Sequence, residues 1–158
     1  GLGDVYKRQF SGSLPAACRV TVVMGKPAPH PAAVRAFADS APYPCRVLVG
    51  ADNMAELMAE ADLAIGAAGS TSWERCCLGL PTLLLVIAGN QCNIAATLQT
   101  AGAALPLETS KINALEFVQV LDYFRQPENL AAMSVKASVL CDGKGAVRVA
   151  SHLFQTRK

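Results

Sequence analysis

Apolar residues come in short unbroken runs that alternate with amphipathic stretches. Residues 18–25, CRVTVVMG, form a β-branched run that ends on glycine, and residues 45–51, CRVLVGA, repeat the pattern. Such runs suit strands buried on both faces of a parallel sheet. Residues 63–69, LAIGAAG, read as a third strand running into glycine. The fourth run, PTLLLVIAG at 81–89, has no polar alternation and belongs in the middle of a sheet. A fifth, AALPLE at 103–108, is short enough for an edge. Strands are expected near 18–24, 45–50, 63–66, 82–87 and 103–106.

Between these runs the apolar period becomes that of a helix. AAVRAFADSA at 32–41 is the first such stretch. In NMAELMAEAD at 53–62, Met54, Leu57, Met58 and Ala61 share one face, and Asn53 with Glu56 fits a capping box. STSWERCCLGL at 70–80 follows, then NQCNIAATLQTAG at 90–102, with Gly102 as the residue that ends the helix. Further helices are expected over 113–125, 127–140 and 145–155. This alternation predicts βαβ units and a Rossmann-like, three-layer α/β domain with a mostly parallel sheet. There is no internal repeat and no linker, so one compact unit is expected. Residues 1–9, GLGDVYKRQ, match nothing that follows and read as a non-native tail of the kind a cloning or assembly junction leaves.

Composition narrows the class. Hydrophobic residues make up 52% and charged residues 16%, against roughly a quarter charged in a typical soluble protein. Such a chain collapses rather than staying disordered. A net charge of +2 gives no electrostatic case for nucleic acid or an anionic membrane surface. The longest aliphatic run, residues 83–88, is far below the roughly 18–20 residues that a membrane helix needs. The cysteines Cys18, Cys45, Cys76, Cys77, Cys92 and Cys141 show no CxxC spacing, and only His30 and His152 could join them at a metal. No apolar segment stands behind Lys7 and Arg8 as a secretory signal requires. Free thiols in a cytoplasmic protein follow, with no metal expected.

Ligands of open α/β sheets sit at the carboxyl ends of the strands. Three strand ends are candidates: residues 25–30, 66–74 and 88–91. The middle one, GAAGSTSWE, lets backbone approach a ligand, and Ser70 and Thr71 open a helix whose free N–H groups favour phosphate. It is neither a Walker A loop nor GxGxxG. Glu74, one turn in, is placed to take both hydroxyls of a ribose. Thr71-x-x-Glu74 equally fits a capping box with no ligand. At the third end, Asn90 and Gln91 are amides suited to sugar hydroxyls, while Asn90 also fits a plain helix cap. No Ser-His-Asp set or paired carboxylates stand in such a position. The chain reads as a binding half without a catalytic group.

The run DNMAELMAEADLAIGAAGSTSWERCCLGLPTLLL, with AGNQ and the later LCDGKGAVRV, closely resembles the carboxyl-terminal part of one enzyme family. That family is the UDP-2,4-diacetamido-2,4,6-trideoxy-β-L-altropyranose hydrolase of pseudaminic acid biosynthesis, which shares the two-domain GT-B fold with the glycosyltransferase of lipid II synthesis. The similarity covers about residues 18–153. It implies that Gly69, Ser70 and Thr71 meet the diphosphate, that Glu74 holds the uridine ribose, that Ala51 and Met54 border the uracil, and that Asn90 and Gln91 face the sugar. The family's loop reads GAGGST, and Ala68 here replaces a glycine, which is expected to narrow the phosphate's room. The resemblance also implies a missing amino-terminal domain that carries the catalytic histidine, so the chain looks like a fragment with no catalytic residue of its own. For the whole enzyme it implies release of UDP and 2,4-diacetamido-2,4,6-trideoxy-L-altrose by water, without cofactor or metal. Two other readings stand beside it. One is a UDP-sugar-dependent GT-B glycosyltransferase, which would use the same nucleotide site. The other is a non-catalytic α/β module that only binds a partner.

Overall fold

The computed structural model describes residues 18–108 and 114–155. The tail expected at 1–9 lies outside them. The residues group into two compact units, Gly1–Met54 with Asn113–Leu121, and Ala55–Ile112 with Asp122–Lys158. Among the described residues no helix is long and apolar enough to cross a membrane.

In the first unit, β1 (Val20–Met24) and β2 (Cys45–Val49) pair in parallel, from Val20 opposite Cys45 to Met24 opposite Val49. Helix α1 (Pro31–Asp39) links them. Pro31 stands in its first turn, where the missing N–H removes no hydrogen bond. Thr21 and Arg46 face each other on the exposed side, and Arg46 Nε donates to Thr21 Oγ1 at 2.8 Å. Gly50 leaves β2 with φ +66°, and its N–H donates to Met24 O at 2.7 Å. That left-handed turn is glycine's to make, and a side chain there would also strike Lys26.

In the second unit, β3 (Ala64–Ala67), β4 (Thr82–Val86) and β5 (Leu105–Glu108) form a parallel sheet in the order β3-β4-β5. The strand without polar alternation is indeed central, and Leu83 and Leu84 are fully buried. Burying side chains of this size contributes about 1.5–3 kcal/mol each. Helix α2 (Met54–Ala59) precedes β3, and α3 (Thr71–Cys77) joins β3 to β4. A single 3-10 turn (Gly89–Gln91) and α4 (Cys92–Thr100) join β4 to β5. Helix α5 (Ala114–Phe124) belongs to the first unit up to Leu121, and α6 (Pro127–Leu140) and α7 (Gly145–Gln155) follow in the second. The core is built from Ala68, Cys76, Leu84, Leu98, Ala104 and Ala137 among others. Its many alanines allow close approach of helix and sheet.

The parallel pairing and flanking helices are those of a Rossmann-like α/β fold. Two strands differ from expectation by two residues: β1 starts at Val20, not 18, and β5 runs over Leu105–Glu108, not 103–106. Gly102, at φ +68°, ends α4 as expected, and its N–H donates to Gln99 O. Ala103 N–H then donates back to Leu98 O at 2.9 Å, so this residue belongs to the helix closure rather than to the strand. Helix α3 closes the same way, through Gly79 N–H to Cys76 O and Leu80 N–H to Arg75 O.

Candidate functional site

Strands β3 and β4 are neighbours and run the same way, with Ala67 opposite Leu85 on their last rung. Ala68 N–H donates to Leu85 O at 3.1 Å just beyond it. The loops at 68–71 and 87–91 therefore leave the same end of the sheet from strands about 4.8 Å apart. This is the juxtaposition that the sequence pattern required of the two glycine-containing loops.

The first loop is braced from below. Arg75 is 5% exposed, and its guanidinium bonds to neutral oxygens rather than to a carboxylate. Nη2 donates to Ala67 O at 2.9 Å and to Ser72 Oγ at 3.1 Å. Ser72 Oγ also accepts the Gly69 N–H at 3.2 Å, and Arg75 Nε is buried without a partner. Burial pulls the guanidinium's pKa down, while Cys76 and Glu74 push the other way. Gly66 makes room for this side chain, since a Cβ there would collide with Arg75 Nη1.

This arrangement replaces the capping box that Thr71-x-x-Glu74 suggested. The cap position falls on Ser70, which already has helical angles and makes no side-chain cap bond. Ser72 does the local work instead. Ser70 and Glu74 are exposed and Thr71 is half-buried, all within the loop or the first turn of α3. Ala68, expected to crowd the loop, is 1% exposed and belongs to the core with Leu84 and Cys76. Its methyl fills the interior rather than the loop's outer surface.

The second loop is tied by one of its own candidates. Gln91 Oε1 accepts the Ile87 N–H at 2.9 Å, and Gln91 N–H donates to Ala88 O at 3.0 Å. The carbonyl of Gln91 is thus committed to shaping the turn, while its Nε2 takes no part in that bond. Asn90 is exposed within the turn. It caps nothing, because Ala88 precedes the turn and Gln91 precedes α4.

Ala51 and Met54 lie in the first unit, both half-buried, after Gly50 and at the start of α2. His30 is exposed in the same unit, at φ +59° before Pro31. A concavity of about 310 Å3, lined by Met58, Asp62, Leu80, Pro81, Leu130 and Ser134, opens at the opposite end of the second sheet. Asp62 precedes β3 and Pro81 precedes β4, so this space does not contain the candidate loops. Among the described residues, no group of three His, Cys, Asp or Glu side chains could hold a metal ion.

The LCDGKGAVRV segment is accounted for by its own turn. Asp142 Oδ1 accepts from Lys144 N–H at 3.1 Å and from Arg148 Nη1 at 2.9 Å, and Oδ2 meets Arg148 Nη2. Arg148 first, then the Lys144 N–H, hold the Asp142 carboxyl below its ordinary range. The motif shapes the entry into α7. Sequence reasoning missed both this role and the Gly66–Arg75–Ser72 brace. The one available signal was an arginine set among small core residues on a helix.

Parallel sheets, flanking helices and two loops at one sheet end define a Rossmann-like α/β domain of the GT-B carboxyl-terminal type. The chain belongs to the family described as "Glycosyltransferase family 28 C-terminal domain", which matches residues 13–152. It is 31% identical over 137 residues to the "Spore coat polysaccharide biosynthesis protein SpsG" of Bacillus subtilis, covering 83% of this chain and 39% of that protein. Over 106 residues it is 36% identical to a Synechocystis protein, covering 63% of this chain and 30% of the relative. That relative is named UDP-N-acetylglucosamine--N-acetylmuramyl-(pentapeptide) pyrophosphoryl-undecaprenol N-acetylglucosamine transferase. The crystal structure of Acinetobacter baumannii MurG matches with a TM-score of 0.82 at 22% identity, over 98% of this chain and 46% of that one. The chain thus spans less than half the length of each of these proteins.

Proposed function

We propose that this chain is the nucleotide-sugar-binding half of a GT-B enzyme that takes a UDP-linked sugar and transfers the glycosyl group to an acceptor. The observation that carries this reading is the β3–β4 pairing, in a chain of this glycosyltransferase family, which sets the loops at 68–71 and 87–91 side by side. A UDP-sugar-dependent relative supports the nucleotide. In this reading the backbone of Gly69, Ser70 and Thr71 receives the diphosphate. The Glu74 carboxylate takes the ribose hydroxyls, and Asn90 with the Gln91 Nε2 faces the sugar. Binding the leaving UDP more tightly as its bond to the sugar breaks is how such a half lowers the barrier. The group that activates the acceptor comes from outside these residues.

A second reading keeps the same site and makes water the acceptor, so that UDP and 2,4-diacetamido-2,4,6-trideoxy-L-altrose are released. The resemblance of residues 52–91 to the hydrolase family favours it. The LCDGKGAVRV part of that resemblance adds little, because Asp142 and Arg148 have a structural role.

The test is calorimetric titration of the folded chain with UDP. Saturable binding is expected, weakened about 10- to 150-fold (roughly 1.5–3 kcal/mol) by Glu74→Ala, the scale of a hydrogen bond to a charged group. No binding by a chain shown to be folded overturns the proposal. A UDP-release assay should show no turnover by the chain alone. Turnover abolished by His30→Ala would place the catalytic base in this chain after all.

A further inference from the structure

We propose that Cys77 and Cys141 form a modification site: a dithiol that closes to an intrachain disulfide by exchange with a small-molecule disulfide of the glutathione type. Cys77 is the last residue of α3, and Cys141 follows the last residue of α6. They are 64 positions apart in sequence, and their sulfurs are 3.0 Å apart, with the Cys77 S–H donating. Helix packing brings them together, not chance rotamers. At Gly79, just past α3, a Cβ would stand 3.1 Å from Ser134 Oγ and 3.3 Å from Ser134 O on α6. Gly143, at φ +70°, turns the chain after Cys141, and a Cβ there would stand 3.9 Å from Cys77 Sγ.

Access differs sharply between neighbouring thiols. Cys77 is exposed and Cys141 half-buried, whereas Cys76 is buried in the core. Adjacent residues on a helix point about 100° apart, which separates Cys76 from the pair's open side. The bond to Cys141, then burial, push the Cys77 thiol's pKa above its ordinary value, so its thiolate fraction, and with it the exchange rate, rises as pH increases.

The exchange balances without any further reactant. One sulfur, as thiolate, attacks the small disulfide and releases one small thiol, leaving a mixed disulfide on the protein. The second sulfur, already in contact, displaces the second small thiol. Two protein S–H groups are oxidised, one S–S bond is reduced, and the two protons end on the released thiols. The product ties the end of α3, whose first turn carries Thr71 and Glu74, to the end of α6.

The experiment incubates the chain in glutathione buffers stepped from reducing to oxidising, alkylates free thiols and maps peptides by mass. The expected result is a loss of about 2 Da, one for each thiol hydrogen, with a single Cys77–Cys141 cross-link that a dithiol reductant reverses. Cys77→Ser and Cys141→Ser should each abolish the cross-link, and Cys76→Ser should leave it. The proposal is overturned if both cysteines stay alkylatable in the most oxidising buffer. It is equally overturned if the product is a Cys76–Cys141 link or a lasting glutathione adduct at Cys77.

Discussion

Gly66 and Arg75 are two halves of one device. Burying a guanidinium without a carboxylate is costly, and here the Ala67 carbonyl and the Ser72 hydroxyl offset only part of that cost. Only a residue without a Cβ leaves the guanidinium its place. Gly66→Ala should therefore destabilise the chain by about 1–3 kcal/mol, the usual cost of forcing extra volume into a packed site. In an Arg75→Ala background the same change should cost less than about 0.5 kcal/mol, because the clash has gone. Denaturant titration of the four variants measures this, and equal costs in both backgrounds would reject the pairing. Asp142 supplies a second test at this scale. Its carboxyl is held below the ordinary range, so its bond to Arg148 contributes above the unfolded pKa and is lost as pH falls through the folded one. An NMR titration should find its midpoint below that of a free aspartate, and Arg148→Ala should return it upward.

Among the elements, the turn after β4 separates structural from functional roles between adjacent residues. Gln91 closes the turn through its carbonyl, while Asn90 stands exposed beside it. Gln91→Ala should cost about 1 kcal/mol of stability, one hydrogen bond's worth. Asn90→Ala should change stability by less than about 0.5 kcal/mol, as surface substitutions do. If the proposed sugar contact is right, Asn90→Ala should nevertheless weaken UDP-sugar binding relative to UDP itself. Thermal melts paired with calorimetry distinguish the two effects. The position of both loops was legible because apolar runs ending in glycine mark strand ends. The caps were not, since Ser70, Ser72 and Thr71 are all plausible from composition. Ser70, at the cap position, makes no side-chain cap bond, and Ser72 Oγ instead accepts from the Gly69 N–H and Arg75 Nη2.

At the scale of the molecule, α7 buries none of its residues, and Phe154 is 75% exposed beside Leu153 at 62%. Val147 and Val149 on the same helix are also exposed. Apolar surface of this kind promotes association. The chain should self-associate with rising concentration in sedimentation velocity, and a Leu153→Ser, Phe154→Ser double variant should shift it toward monomer. A strictly monomeric parent chain would show that this face needs no partner.

The order and type of the elements were determined by the sequence alone. Strand and helix periods are local properties, and 82–86 could be placed centrally because a run apolar on both faces has nowhere else to go. The end of the sheet that carries the candidate loops followed from the same pattern. Tertiary structure decided what depends on partners distant along the chain. It turned Ala68 inward, braced with Ser72 and Arg75 the loop where Thr71 and Glu74 equally fitted a capping box, and committed the side-chain oxygen of Gln91 to its own turn. It also brought Cys77 against Cys141 across 64 positions of sequence. Such contacts arise where packed helices and strands leave room, and no residue pattern along a single segment encodes that room.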